Sequence, residues 1–369
     1  MYSHTERLAC HIPTHRYHGR MEGSRIRTDL ARRLETAGNE SLLDELFGTT
    51  DTGAIASELL RLLDGFGDPL GICLLRMSSG LVLGVDVASD LGRVVLKVHR
   101  AHVTPRLPGV LRAQRILSAA GVPVATPLID VPLPAGFGAA LVEMWRADGA
   151  TVDVRSPAAR RALARCCFAI IEVLDAEQFP EFVPTWTGLY PPPHSPRFDF
   201  EGTRHGAEWI DELARRATQY RSALEAEGVG ARVVGHTDIR PENVLVNSTG
   251  SEPEVSTVYD LDSLAVDAEP WLVGGVARAF STNWSLSDPM LPTIAEINRF
   301  VGEYEDVRGM PFSRDEALLA QAGTLYALAY SARCEHALFR DGAPAPWGSG
   351  WRELLNNFAN ELPEANCFA

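Results

Sequence analysis

The chain has 369 residues, 46% of them apolar, more than a single hydrophobic core usually organises, so two packed lobes are expected. No apolar run approaches a membrane span, the N-terminal MYSHTERLACHIPTHRYHGR has no signal-type stretch, and the six cysteines are scattered without a C-x-x-C pair; a cytoplasmic protein with reduced thiols and no membrane partner is expected. A formal charge of −14 argues against a nucleic-acid partner, which needs a basic face, and suits either simple solubility or a cationic small molecule.

Residues 1–24 read as a mobile tail; its His4, Cys10, His11, His15 and His18 match no standard zinc spacing. Residues 25–66 carry two helical patterns, Leu30, Leu34, Leu42, Leu43, Leu46 and Phe47, then Ile55, Leu59, Leu60 and Leu63. From Gly71 the period shortens to strands at Gly71–Met77, Leu81–Ala88 and Arg93–Val98, an antiparallel up-down-up pattern. A helix at 108–120, a proline-flanked strand at Ala125–Asp130 and an apolar strand at Ala139–Trp145 follow.

Past a linker at 146–151 the chain becomes mainly helical. Ser156-Pro157, a capping serine with proline at the first helical position, opens a helix over Pro157–Glu177. A loop at 179–205, with Phe179, Phe182, Trp186, Tyr190, Phe198 and Phe200 among prolines, either packs onto the larger lobe or helps form an acceptor pocket. A helix at 207–227 precedes a β-region at 231–262, and the pairs Thr293/Glu296 and Ser313/Glu316 open later helices as capping boxes. The expected class is α+β: a helical extension (25–66), a small antiparallel β-rich N-lobe (67–146) and a larger, mainly helical C-lobe (147–369).

Of the 34 basic residues, Lys97 is the only lysine. A chain that otherwise uses arginine for every cation points, at Lys97, to a site requiring a compact ammonium. The segment Gly235-His236-Thr237-Asp238-Ile239-Arg240-Pro241-Glu242-Asn243 contains H-x-D-x-x-x-x-N and runs at once into an apolar strand. Phosphoryl transfer needs a carboxylate to orient and deprotonate the attacking hydroxyl, and an oxygen ligand for the metal on the phosphates. Asp238 and Asn243 suit those tasks. The next strand, Val255–Tyr259, ends in Asp260, and a hairpin would bring it beside Asn243 as an all-oxygen magnesium site. Asp262 competes for that role, but Asp260 ends the strand directly. His236 reads as a hydrogen-bonding residue of the loop.

These residues resemble the catalytic loop of the aminoglycoside phosphotransferase and choline kinase superfamily, which shares the two-lobed protein-kinase-like fold. The resemblance covers about residues 70–340 and is most specific at 231–262. It implies Asp238 as catalytic base, Arg240 toward the transferred phosphate, Asn243 and Asp260 as Mg2+ ligands, and ATP as donor. It also implies Lys97, on Val94–Val98, as the phosphate-contacting lysine. Met77-Ser78-Ser79-Gly80 fits the turn covering the phosphates, with Ser78, Ser79 and Gly80 offering backbone N–H groups. Glu143, Met144 and Trp145 would form the adenine-binding hinge through their main chain.

The sequence also departs from the family's pattern. No Asp or Glu lies between Ala101 and Pro123, where the family holds its lysine with a glutamate, and Gln114 is the nearest polar candidate. Thr237 stands where glycine is common, and Glu269-Pro270-Trp271-Leu272 runs on into Val273-Gly274-Gly275 without the usual aspartate. The expected activity is therefore ATP- and Mg-dependent phosphorylation of a small-molecule hydroxyl, a cationic acceptor suiting the acidity. The alternatives are a Ser/Thr kinase acting on a peptide and a pseudokinase-type binding protein.

Overall fold

The computed structural model describes residues 19–151, 153–182, 200–248, 252–283, 290–338 and 350–361. The tail histidines, Cys10, Trp186, Tyr190 and Phe198 lie outside the described residues. Two compact units form, one from the chain up to His102 with Leu133–Val142, the other from Val103–Pro132 and the chain from Glu143 onward.

In the first unit three helices, α1 (Gly19–Ala37), α2 (Glu40–Phe47) and α3 (Thr52–Arg61), precede the strands. Asn39 and Asp51 cap α2 and α3 by accepting main-chain N–H bonds, as short polar side chains do at helix starts. Of the apolar positions read from the sequence, Leu30, Leu34, Leu42, Leu43, Leu46, Ile55, Leu59 and Leu63 are buried, whereas Phe47 and Leu60 are half-buried. Strands β1 (Asp68–Met77), β2 (Leu81–Ala88) and β3 (Arg93–His99) then pair antiparallel. With β4 (Leu133–Ala135) and β5 (Gly138–Met144) they build a five-stranded sheet of order β1-β2-β3-β5-β4.

The predicted strand at Ala125–Asp130 is absent. That stretch makes one isolated bridge, Pro127 to Glu143, and a second, Val124 to Val258, lies just before it. Prolines 123, 127, 132 and 134 remove the donors a ladder would need. The edge of the sheet is instead the short β4–β5 hairpin.

The second unit begins with α4 (Leu107–Ala119), which packs on α5 (Pro157–Val173) and on the 3₁₀ turn Leu261–Ser263. Ser156 caps α5 as its sequence announces. After α6 (Glu208–Ala226) come β6 (Arg232–His236), β7 (Val244–Asn247), β8 (Glu254–Val258) and β9 (Leu264–Ala268), paired antiparallel as β6–β9 and β7–β8. Helices α7 (Glu269–Ala277), α8 (Ile294–Arg308), α9 (Arg314–Leu338) and α10 (Trp351–Glu361) complete the unit. The long α9 is its centre, with α6, α7 and α10 packed on it.

The run Val273-Gly274-Gly275 has a packing reason. A Cβ on Gly274 would overlap the Ala320 carbonyl of α9, and one on Gly323 would overlap the Trp271 carbonyl of α7. Backbone meets backbone there, and Thr324 Oγ1 donates to Gly274 O at 3.0 Å. Phe179, Phe182 and Phe200, the described aromatics of the 179–205 loop, are buried under Arg112, Arg106 and Arg333 respectively. No described helix is long and apolar enough to cross a membrane.

Candidate active site

The β6 strand delivers the chain to His236, and the following turn is held by backbone and side-chain bonds rather than by a ladder. Thr237 donates twice to Ser263 O, from N at 3.1 Å and from Oγ1 at 2.8 Å. A hydroxyl here is thus an anchor to the start of β9, which glycine could not provide. Asp238 N donates to His236 Nδ1 at 3.1 Å, so that nitrogen is an acceptor. The proton then sits on Nε2, which donates to Tyr259 O at 2.9 Å. His236 is buried and braces the loop against the end of β8.

Asn243 links the rest. Its Nδ2 donates to both Asp238 O and Asp238 Oδ2 at 2.9 Å, and its own carbonyl accepts from Tyr259 N at 2.8 Å. The first pair orients the Asp238 carboxylate. The second seats Asp260 immediately beyond the β7–β8 pair, whose register begins Val244↔Val258. Asp260 adopts φ 66°, ψ 41°, a left-handed conformation uncommon for a side-chain-bearing residue. Arg240 lies 3.1 Å from Asp238 Oδ2 and 3.1 Å from Glu242 Oε2.

The group implied at this place is a magnesium ion. Because the Asn243 NH2 is committed to Asp238, Oδ1 is the amide atom left to ligate, and Asp260 adds a carboxylate. Both are hard oxygens, the type Mg2+ takes together with phosphate oxygens. Among the described residues no cluster of three or more His, Cys, Asp or Glu could hold a metal by itself. The donor set fits an ion brought with a nucleotide. Asp262 stands in the field of Arg106, which burial pushes down in pKa and Asp262 pulls up. Arg106 Nη2 also donates to Leu264 O.

Tyr259, just beyond β8, ties that strand to the linker by donating to Arg146 O at 2.7 Å, and Arg146 reaches Val124 O and Ser256 O at 3.3 and 3.2 Å. Sequence reading passed over both residues; the aromatic immediately before Asp260 was the available signal. Glu143 is buried and accepts from Gln114 Nε2 at 2.7 Å. Gln114, also buried, thus braces the Glu143 carboxylate near the end of β5, within its own unit. Met144 N donates to Thr126 O at 2.8 Å, which takes that donor away from any bound base, while its side chain is exposed. Trp145 follows directly after β5.

In the first unit Lys97 lies on β3 opposite Val82, buried among apolar neighbours on both sides in sequence. Ser78, Ser79 and Gly80 form the β1–β2 turn: Ser78 N donates to Gly80 O at 3.0 Å, and Arg100 Nη1 donates to Ser79 O at 2.6 Å. A Cβ on Gly80 would collide with Val98 O, so only glycine lets this turn lie against β3.

A β-rich unit carrying one buried lysine and a helical unit carrying an H-x-D-x-x-x-x-N loop with a strand-end aspartate define a kinase-like phosphotransferase. A family model described as "Phosphotransferase enzyme family" matches residues 85–268, about half of the chain. The chain belongs to that family, in the superfamily of aminoglycoside phosphotransferases and choline kinases, and it is a phosphotransferase with an alcohol group as acceptor. No protein among the curated ones matches it. Similar solved structures include Plasmodium vivax ethanolamine kinase, at TM-score 0.52 and 11% identity over 89% of this chain and 94% of that one. Amicoumacin kinase hAmiN in complex with AMP-PNP, Ca2+ and Ami follows at 0.53 and 14%, over 89% and 95%. A GDP complex of an aminoglycoside 2'-phosphotransferase reaches 0.55 and 12%, over 82% and 96%. At such identities these likenesses establish the fold.

Proposed function

We propose that the chain transfers the γ-phosphate of ATP to a hydroxyl of a small molecule, with Mg2+ and with Asp238 as the catalytic base. The observation that carries this reading is the double role of Asn243, whose amide holds Asp238 while its carbonyl seats Asp260. Asp238 Oδ2 orients the acceptor hydroxyl and takes its proton as the new O–P bond forms; the bond to the bridging oxygen breaks and ADP leaves with the electron pair. When bound, magnesium neutralises phosphate charge. Asn243 Oδ1 and the Asp260 carboxylate hold it. Asp260 is preferred over Asp262 because it directly follows the β8 strand end, whereas Asp262 stands in the field of the Arg106 cation.

Arg240, already 3.1 Å from Asp238, stabilises charge on the transferred phosphoryl group. Lys97 and the Ser78-Ser79-Gly80 turn contact nucleotide phosphates, and the main chain at Glu143 and Trp145 contacts adenine. Residues 67–146 then form the nucleotide-binding part and 147–369 the part that carries catalysis and acceptor recognition. ATP is favoured as donor because one similar structure holds AMP-PNP, although another holds GDP.

The test is ATP consumption across a panel of amino alcohols, aminoglycosides, hydroxy acids and hydroxyl-bearing peptides, with D238N as the blank. Consumption that depends on one acceptor class and on magnesium, and that vanishes in D238N, is expected. Full activity in D238N would remove the assigned base.

A further inference from the structure

Among the described residues four arginines are buried: Arg160, Arg221, Arg278 and Arg333. A guanidinium withdrawn from water is strongly disfavoured unless a counter-charge accompanies it. Three have one. Arg160 pairs with Glu303 at 2.7 Å, Arg221 with Asp267 at 2.9 Å, and Arg333 with Asp211 at 3.2 Å. Arg278 has no carboxylate within ion-pair distance among the described residues. Its contacts are the Ser331 hydroxyl, 2.8 Å from Nη1, and the Trp351 ring, 5.8 Å from Cζ to centroid. Its Nε is buried and makes no hydrogen bond.

This cation, which no carboxylate among the described residues matches, stands in the electrostatic field of the Asp238 loop. Burial pushes its pKa down, and the two charges that act most on it are Asp238, which favours the guanidinium, and Arg240, which opposes it. Four residues on, across a turn closed by Thr282 N→Ala279 O at 2.9 Å, Thr282 is fully buried with an Oγ1 that has no partner. Arg278 also follows the last turn of α7, where a cation gains from the helix dipole. An exposed side chain would gain as much there, so the dipole does not explain burial between α9 and α10. A trapped water could occupy Nε but would not supply the missing negative charge.

We propose that Arg278 is an acceptor-binding residue that recognises an oxyanion, a carboxylate or a phosphate, carried by the molecule whose hydroxyl meets Asp238. The inference rests on the phosphotransfer reading of Asp238. It sets the acceptor class as an anionic alcohol, against the cationic one that the net charge of −14 suggests. Overall charge governs encounter, whereas a buried fork of N–H donors governs which group can stay. The oxyanion would supply the counter-charge that Glu303, Asp267 and Asp211 supply to the other three arginines.

Matched probes test this on the full chain. Glycerate is compared with glyceramide, and glycerol 3-phosphate with glycerol, first by thermal shift without nucleotide and then as acceptors with ATP. The wild type should bind one anionic member more tightly than its neutral counterpart, the pair that responds separating carboxylate from phosphate. In R278M that preference should fall by about tenfold or more, R278K should restore part of it, and acceptor KM should rise by more than kcat falls. Because a structural pair would be broken whereas an unmatched charge would be relieved, R278M should also raise the Tm of the ligand-free protein. An unchanged preference in R278M, tighter binding of the neutral probes, or a lowered Tm would overturn the proposal. Selective, Arg278-dependent binding without ATP consumption sensitive to D238N would instead leave this site standing and remove the phosphotransfer reading.

Discussion

The hairpin that carries Asp238 and Asn243 and the helices α7, α9 and α10 handle buried polarity in opposite ways. In the hairpin each of these anchors has its partner within the one stretch 236–263: His236 with the Asp238 amide and Tyr259 O, Thr237 with Ser263, Asn243 with Asp238. In the helices Arg278 is buried against a hydroxyl and an indole ring. Local satisfaction rigidifies, because the bonds that orient Asp238 need nothing from outside the loop. An unmatched buried cation does the reverse: it holds a binding group ready at the expense of stability, a pattern expected where structure serves a ligand.

The largest test of this contrast is D238N. With the loop's geometry retained through the backbone bond from Asn243 Nδ2 to residue 238, turnover should fall by about 10³–10⁴-fold through loss of general-base catalysis. Nucleotide-induced thermal stabilisation should survive. A comparable loss of nucleotide binding would mean that the loop, and not the proton transfer, had been damaged. Next comes R221M, the mirror image of R278M. It would strand Asp267, whose carboxyl burial already pushes up to about 7 against the pull of Arg221. Removing the partner of a buried charge costs about 3–5 kcal/mol, read from chemical denaturation, whereas R278M should cost nothing. Equal losses in the two variants would break the contrast.

A third, smaller effect concerns the helix pair that carries Arg278. In G274A the new methyl meets the Ala320 carbonyl, so α7 must back away from α9 at a cost of about 1–3 kcal/mol in denaturation midpoints. Acceptor KM should rise with it, since the Arg278 guanidinium is held between α9 and α10. A stability loss with no change in KM would separate α7 packing from acceptor binding.

How much of this was legible in the sequence follows from the range of the forces involved. The first three strands, the Ser156 cap and the H-x-D-x-x-x-x-N loop are written in neighbours, so periodicity and capping patterns reveal them. Lys97 stood out only because arginine fills every other basic position. The strand expected at Ala125–Asp130 does not form, because the prolines in and around it remove donors a ladder needs, an effect its apolar pattern does not reveal. The Gly274-Gly275 run looked like a missing aspartate and is a helix crossing, visible only once α9 is laid beside it. Arg278 was not legible at all. In a chain with so many arginines nothing in sequence separates this one, because what distinguishes it is that no carboxylate among the described residues pairs with it in three dimensions. The Asn243–Asp238 bond lies between these extremes: its spacing was readable, its geometry was not.

The smallest expected effect isolates the purely local kind of stabilisation. Thr293 and Glu296 form the reciprocal capping box read from the sequence, with Glu296 N donating to Thr293 Oγ1 at 3.2 Å and Thr293 N donating to Glu296 Oε2 at 2.8 Å. Burial alone would raise the Glu296 carboxyl, but the Thr293 N–H and hydroxyl, aided by Arg155 and Arg160, hold it below its usual value. A carboxyl depressed in the folded state adds stability above its unfolded pKa, and that increment is lost as pH falls through the folded one. T293A should therefore cost about 1 kcal/mol at pH 7. The gap between wild type and variant should narrow as pH falls below the ordinary glutamate value of 4.5, because protonated Glu296 no longer rewards the threonine donors. Thermal melts of both proteins from pH 7 to pH 4 measure it. A constant gap would assign the cap to the Glu296 N–H bond alone, and a widening one would reverse the sign of the linkage.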